Sequence, residues 1–282
     1  MANSKVKIIV HTLIKNEDRF IWYAINSVLK YVDEIMVWDT GSEDSTVNIV
    51  KTISSRKINF KQVGSVDAST FTNQRQRMLD ETPDDFTWVM ILDGDEVWPE
   101  KSIQAVTDFA RNNPDFESIV VRTHNLVGDI YHRLPESVGH YHLAGRTGHL
   151  NLRLLNRRKI PGLNVQKPHG QQGYFDGKGV LVQERNQAKI QFIDVTLHHA
   201  SHLRRSQKTE NDLSVIKRAK KFKYQIGERI PKSEIPEIFF ASRSDIVPDV
   251  SKPADISFWI LALFATPLKI LKRKLLPIQS GY

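Results

Sequence analysis

Trp88-Val-Met-Ile-Leu-Asp-Gly-Asp-Glu-Val-Trp98 is an uninterrupted apolar run that stops at two carboxylates, Asp93 and Asp95, separated by one glycine. The stretch from Trp88 to Leu92 shows no polar alternation, so it reads as a strand buried on both faces, as in a parallel sheet covered by helices. In such sheets ligands sit beyond the carboxyl ends of the strands, which is where Asp93, Asp95 and Glu96 fall. Three clustered carboxylates repel one another at a buried strand end and are costly unless a cation or a polar ligand compensates them. Gly94 lets the backbone turn there and keeps the approach open. Hard oxygen donors of this kind suit Mg2+ or Mn2+ carrying a substrate phosphate. An Asp-x-Asp triplet alone says little; its place at the end of a buried strand gives it weight.

Working outward, strand-like runs at 5–13, 34–39, 58–63 and 86–92 alternate with helical patterns, the rhythm of an α/β protein with a parallel sheet. Phe20, Ala24, Val28 and Val32 recur every four residues and put one apolar stripe on a helix spanning about 17–31. Asp39-Thr-Gly-Ser-Glu-Asp-Ser-Thr46 follows the second strand: Gly41 permits a tight turn, Ser42 or Asp44 can cap a helix over 45–54, and backbone N–H groups there are open to a ligand. Further helices are expected at 72–80 and from Pro99 to 111, then a strand at 118–122. From 124 to 159 the pattern loosens into short β-like pieces rich in His, Arg and Gly, a plausible second half-site. Residues 190–197 read as a strand ended by His198-His-Ala-Ser-His202, and 206–224 as a basic helix. Pro231, Pro236, Pro248 and Pro253 mark an irregular connection.

The chain has 282 residues, 40% hydrophobic and 26% charged, enough for one large α/β domain with an appended tail. The absence of cysteine excludes disulfides, thiolate metal sites and cysteine nucleophiles, and fits a reducing compartment. The apolar patch at 6–10 is broken by His11 and soon followed by charged residues, so it reads as a first strand rather than a signal peptide, and a cytoplasmic location is expected. A net charge of +8 implies an anionic partner. The basic residues gather late, at 204–205, 217–223 and 269–274. A nucleic-acid binder would interleave aromatic residues with such runs, yet 217–223 offers only Phe222, so no nucleic acid is expected. Residues 256–265 are strongly apolar, Pro267 interrupts them, and Lys269, Lys272, Arg273 and Lys274 follow at once. That run is too short to span a bilayer. It reads either as an interfacial helix on an anionic membrane surface or as a helix docked on the protein's own core or a dimer interface.

Leu13-Ile-Lys-Asn-Glu17, Val32-Asp-Glu-Ile35, the 39–46 segment, Phe71-Thr-Asn-Gln-Arg75 and Leu92-Asp-Gly-Asp-Glu96, in this order, resemble the family 2 glycosyltransferases of GT-A fold. The similarity is to the bacterial-type branch that includes lipopolysaccharide-core sugar transferases. It covers the first 110 residues or so well. Later it rests on Leu152-Arg-Leu-Leu-Asn-Arg157 and on His198-His-Ala-Ser-His-Leu-Arg204. The resemblance implies a Rossmann-like mixed, mainly parallel sheet flanked by helices over 1–225. Its first part, 1–123, would bind a nucleotide sugar and its second, 124–225, would face the acceptor. An irregular connection over 226–255 and an apolar, basic helical tail over 256–282 complete the expected organisation.

The resemblance also implies roles. Thr12 and Asp39 match positions that hold the nucleotide base and ribose, and Arg75 matches a nucleotide-contacting arginine. Asp93 and Asp95 match the family's Asp-x-Asp, with Asp95 the more direct metal ligand and Glu96 and Trp98 on the substrate side. His199, or else His198, matches a histidine that approaches the metal and diphosphate. The implied reaction moves a sugar from a nucleotide-sugar donor to a hydroxyl of a glycan or lipid-linked acceptor, with Mn2+ or Mg2+ opposing the charge of the leaving diphosphate, at the inner face of a membrane. Attack from the opposite face inverts the anomeric carbon and needs a general base. Where the branch has Pro-x-His-Glu, this chain has Pro168-His169-Gly170. Asp176, the nearest following carboxylate, His169 and Glu184 are the remaining candidates.

Three other functions meet the same bulk properties. A nucleotidyltransferase would carry a glycine-rich basic loop after the first strand, whereas His11-Thr-Leu-Ile-Lys-Asn16 has no glycine. A non-enzymatic nucleic-acid-binding protein lacks the aromatic residues its basic runs would need. An inert sugar-binding relative would share the strand and loop motifs without turnover.

Overall fold

The Trp88 strand lies inside a mixed sheet in the computed structural model, which describes residues 6–67, 70–168, 171–206 and 223–275. The first part alternates β1 (Ile8–Ile14), α1 (Ile21–Val28), β2 (Glu34–Asp39), α2 (Thr46–Lys51), β3 (Ile58–Gln62), α3 (Phe71–Asp80) and β4 (Trp88–Ile91). The two-residue β5 (Glu96–Val97) and α4 (Glu100–Asn112) follow. Beyond them come β6 (Ser118–Val127), β7 (Asp129–Arg133), β8 (Tyr141–Leu143), β9 (Arg146–Gly148), β10 (Leu150–Asn156), β11 (Asn164–Gln166), β12 (Gly173–Phe175), β13 (Ile190–His199), β14 (Glu228–Arg229) and α5 (Ile256–Leu275).

The main sheet has the order β14-β7-β6-β10-β4-β1-β2-β3, with β13 joining β6 and β5. β3, β2, β1 and β4 run parallel, each following a helix or preceding one. β10 is antiparallel to both β4 and β6, and β13 is parallel to β6. This is the mixed α/β sheet that the resemblance implied.

Period-two alternation along each strand builds the layers. Ile8, Val10 and Ile14 of β1, Ile35 and Val37 of β2, and Trp88 and Met90 of β4 join one core with Phe20, Ile25 and Val28 near α1 and Ile103 and Val106 of α4. The alternate residues Ile9, Leu13, Met36, Trp38 and Val89 face Phe71, Met78 and Leu79 of α3. A strand buried on both faces is therefore apolar at every position, as Trp88 to Leu92 is. Trp88 satisfies its buried indole N–H on the Ala110 carbonyl at 2.9 Å.

Several elements depart from the sequence expectation. α1 begins at Ile21 rather than near 17, because residues 16–18 are tied across to the loop after β2: Glu17 N–H donates to Thr46 Oγ1 at 2.7 Å and Asn16 has φ of 53°. β13 continues through His199 instead of ending before the histidines, which gives both of them strand partners. α5 continues past Pro267 to Leu275. A proline removes one helical hydrogen bond, here from the Leu263 carbonyl, on an exposed turn where water can replace it. The expected basic helix over 206–224 lies almost wholly outside the described residues. Residues 226–255 hold β14 and a series of short turns, and their Ile230, Ile235, Phe239, Val247 and Val250 are buried in the main core.

Candidate active site

Asp93 follows β4, and Glu96 opens β5 directly opposite His199 of β13 in an antiparallel pair. That register carries a histidine from late in the chain to the acidic strand end. Ligand atoms of Asp93, Glu96 and His199 lie within 4.8 Å of one another. Gly94 is required for close packing: a Cβ there would stand 2.8 Å from Glu17 Cγ and 3.1 Å from Ile14 Cγ2. A side chain at 94 would push the acidic turn off the end of β1.

The expected cost of clustered carboxylates is met by side chains of the chain itself. Arg75 Nη2, from α3, lies 3.0 Å from Asp93 Oδ1, and Arg153 Nη2, from β10, lies 3.7 Å from Asp93 Oδ2 and also pairs with Glu96. Arg205 Nη1 lies 2.7 Å from Asp95 Oδ2 and 3.3 Å from Glu17 Oε1. His199 places Nε2 3.3 Å from Asp95 Oδ1 and Nδ1 3.9 Å from Glu96 Oε1. Four carboxylates thus face three guanidiniums and an imidazole. Glu17, Arg153 and Arg205 did not stand out as site residues in the sequence. Arg153 lay in a motif noted for its strand and Arg205 in a charge run; the need to neutralise buried carboxylates is the signal that could have singled them out.

Proton affinities follow this arrangement. Burial acts to raise the Asp93 carboxyl, but Arg75 and Arg153 overcome it and hold the group below the usual carboxylate range. Burial likewise opposes ionisation of Asp95, and Arg205 and His199 hold it well below that range. At Glu96 burial outweighs Arg153, so this carboxyl is raised. His199 is lowered by burial yet lifted further by Asp95 and Glu96, for a net rise.

These positions bear on each expected role. The side chain of Asp93 is 33% exposed and that of His199 20%, whereas Asp95 is 1% exposed with Arg205 and His199 on its oxygens. Asp95, expected as the more direct ligand, is accordingly committed to Arg205; the ligand atoms that converge are those of Asp93, Glu96 and His199, of which Asp93 and His199 are partly exposed and Glu96 is buried against Arg153. Two carboxylates and an imidazole are a suitable donor set for Mn2+, and for Mg2+ with water completing the shell. Trp98, expected on the substrate side, is 1% exposed and packs in the core, so it supports the turn rather than facing a ligand. His198 is fully buried with its ring 5.0 Å from that of His124, away from the carboxylates that His199 meets.

Thr12 and Asp39 are both fully buried near the ends of the adjacent strands β1 and β2. Thr12 Oγ1 has no hydrogen-bond partner among the described residues. The loop after β2 does not offer its N–H groups freely: those of Gly41 and Ser42 go to the Asp39 carboxylate, that of Glu43 to Asn16 Oδ1 and that of Thr46 to Asp44 Oδ1. The N-cap of α2 is Ser45 rather than the expected Ser42 or Asp44; Asp44, one residue earlier, accepts the Thr46 N–H, while Ser42 Oγ accepts the Asn16 N–H at 2.8 Å.

Asp176 is engaged elsewhere. Its Oδ1 accepts the N–H groups of Lys178 and Val180, each at 2.9 Å, and its Oδ2 pairs with Arg185. The backbone bond to Val180 comes first among the influences that hold this carboxyl low, against a desolvation that would raise it. A carboxylate so satisfied shapes a turn and is a poor proton acceptor, and the geometry gives no support to it as the base. Glu184 is exposed in the turn Val182–Glu184, and His169 lies outside the described residues. Beside Asp93 opens a cavity of about 270 Å³ lined by Arg75, Asn151, Arg153, Gln172 and Tyr174, with Leu150, Leu152 and Val182.

Comparison with known proteins gives several matches to this chain. Uncharacterized glycosyltransferases of Rickettsia typhi and Rickettsia prowazekii are each 36% identical to it over 90 residues, 32% of this chain. The matched stretch spans only 28% of the length of those relatives. Among solved structures, S. aureus TarS (residues 1–349) aligns with a TM-score of 0.45 at 14% identity, covering 70% of this chain and 61% of that one. Glucosyl-3-phosphoglycerate synthase from Mycobacterium tuberculosis, in complex with Mn2+, UDP and glucosyl-3-phosphoglycerate, aligns with a TM-score of 0.46 at 16% identity, covering 69% and 72%. Residues 9–174, more than half of the chain and the part that carries β1, β2, the acidic turn and β10, match the profile of Glycosyl transferase family 2, and the chain belongs to that family.

Proposed function

We propose that this protein transfers a sugar from a nucleotide-sugar donor to a hydroxyl of a glycan or lipid-linked acceptor, with inversion, using Mn2+ or Mg2+. The observation that carries the reading is the convergence of Asp93, Glu96 and His199 within 4.8 Å at the end of a buried strand, in a member of a glycosyl transferase family. Those three residues would hold the cation. When bound, it supplies fixed positive charge against the diphosphate that leaves.

Arg75 and Arg153, already aimed at Asp93, would exchange part of that pairing for donor phosphate oxygens, whose planar recognition suits guanidinium. Thr12 and Asp39 would meet the base and ribose at the ends of β1 and β2. The neighbouring cavity combines amide side chains with Tyr141 and Tyr174, a lining suited to sugar hydroxyls and ring faces. Arg205 keeps Asp95 ionised, and Asp95 in turn orients His199.

The test is a panel of UDP-, GDP- and dTDP-sugars, with and without Mn2+, read by calorimetric binding and by release of nucleoside diphosphate. One donor class should bind in a metal-dependent way and hydrolyse slowly, and Asp93→Asn should lose both. If no donor binds in the presence of Mn2+, the reading fails.

A further inference from the structure

α5 presents two unlike faces. One face docks: Phe258 and Ala262 are buried against Val127 and Leu134, and Gly128 makes room, since a Cβ there would stand 2.6 Å from the Phe258 ring. Polar bonds hold the same side. Ile226 N–H donates to Thr266 Oγ1 at 2.9 Å, Lys269 Nζ donates to the Tyr224 carbonyl at 2.9 Å, and Arg273 Nη2 donates to Gln225 Oε1 at 2.9 Å. The helix start is fixed by Asp255, whose Oδ1 accepts the Phe258 N–H.

The opposite face is apolar and open. Ile256, Ile260, Leu263, Phe264, Leu268 and Leu271 recur at three- and four-residue spacings and are 77%, 54%, 58%, 71%, 69% and 54% exposed. An ordinary surface helix turns its apolar stripe inward and its charges outward. Here Lys269 and Arg273 face the protein and the apolar stripe faces away. The helix of 20 residues carries Lys269, Lys272, Arg273 and Lys274 and no carboxylate. At 100° per residue, Lys272 and Lys274 fall on the two flanks of the stripe. A contiguous exposed stripe of this length marks a binding surface.

We infer that this face of α5 lies in the headgroup region of an anionic lipid bilayer, holding the protein at the membrane surface. Apolar side chains enter the acyl boundary while the flanking lysines meet lipid phosphates, so the two contributions add. No described helix is long and apolar enough to cross the membrane, so the helix lies along the surface. A second copy is a weaker occupant: its helix would meet these cations with the same cations and no carboxylate of its own. Burial first, and then the nearby Arg273 and Lys269, push Lys223 down to about 8.

The inference is tested with the full chain and sedimenting vesicles of phosphatidylcholine, alone or mixed with phosphatidylglycerol. The protein should bind the anionic vesicles at least about tenfold more tightly, and salt should weaken that preference. Phe264→Glu with Leu268→Glu, both at exposed positions, should cut binding about tenfold or more at unchanged Tm. Lys272→Ser with Lys274→Ser should remove the preference for phosphatidylglycerol and leave the weaker binding to phosphatidylcholine. Failure of the full chain to bind phosphatidylglycerol vesicles overturns the inference. So does wild-type binding by the Phe264→Glu, Leu268→Glu variant, or a dimer in ultracentrifugation that this variant dissolves without any vesicle binding. Donor binding is read separately, so the outcome is independent of the proposed reaction.

Discussion

The guanidinium of Arg205 lies 2.7 Å from the carboxylate of Asp95, and both side chains are more than nine-tenths buried. Removing either partner leaves the other charged and desolvated. Asp95→Asn is expected to destabilise the protein by about 3 kcal/mol, discounted for the Glu17 contact that Arg205 keeps. Relief of carboxylate repulsion at Asp95 would act in the opposite direction, and the buried Arg205 pair is expected to outweigh it. Denaturant titration of Asp95→Asn, Arg205→Met and the double variant gives the check: the double should lose less than the sum of the singles. Strict additivity would mean that the pair is not coupled.

Asp93→Asn, Glu96→Gln and His199→Asn should each weaken Mn2+ binding at least about tenfold, the loss that even outer-shell changes produce. The readout is the electron paramagnetic resonance signal of free Mn2+, which needs no activity assay. Chelation by EDTA should abolish donor turnover, and added Mn2+ should restore it. Unchanged Mn2+ affinity in Asp93→Asn would refute the ligand set.

Stability should fall on mild acidification because of His11. Its Nε2 meets Thr82 Oγ1 at 2.8 Å, and that hydroxyl gives its single proton to the Met78 carbonyl, so Nε2 carries the imidazole proton. Nδ1 is left bare and buried without a hydrogen-bond partner among the described residues. Burial, with Arg75 and Arg157 nearby, pushes this histidine down to about 3. The folded pKa lies below the unfolded one, so the unfolded chain takes up a proton first as pH falls. The folded state loses stability progressively from about pH 6.5 down to about 3, by on the order of 5 kcal/mol for this residue. His11→Gln should flatten the stability profile in that window; an unaltered slope would show that His11 does not titrate this way.

Asp176→Asn should act on stability rather than chemistry. Loss of the Arg185 ion pair should lower Tm by about 2–4 °C while turnover per folded molecule stays within about twofold. A hundredfold loss of turnover at unchanged Tm and unchanged donor affinity would restore Asp176 as the base. Glu184→Gln and His169→Ala, run beside it, compare the other two candidates under the same assay.

Much of the first hundred residues was legible because the signals are local. Apolar runs without alternation gave β1, β2 and β4, and the 39–46 turn announced itself through Gly41 and its capping residues. The boundaries of α1 were not legible, because Glu17 is drawn off by Thr46, 29 residues later. The acidic turn was visible, but its partners were not: Arg153 and Arg205 are 57 and 110 residues from the carboxylates they meet. Trp98 looked like part of the site since it stands two residues after Glu96, yet it is almost fully buried and its indole packs in the main core. His199 was singled out by resemblance, and only the antiparallel register with β5 explains why it and not His198 reaches the carboxylates. The tail was read as a choice between docking and facing a membrane, whereas α5 docks with one face and leaves an apolar stripe exposed on the other.

The register that sets His199 against Glu96 has a consequence for the order in which the protein assembles. β1, β2 and β4 can collapse on their helices using contacts among neighbouring units, but Glu17 and Asp95 then stand at a closing core with their principal cation still unplaced. Arg205 arrives only after β13 has found its place beside β6, a pairing that joins stretches of chain about 70 residues apart and is slow for that reason. The acidic end of β4 is therefore expected to become rigid last. Hydrogen exchange during refolding should find the amides of β1 and β2 protected before those of β5 and the 200–205 segment.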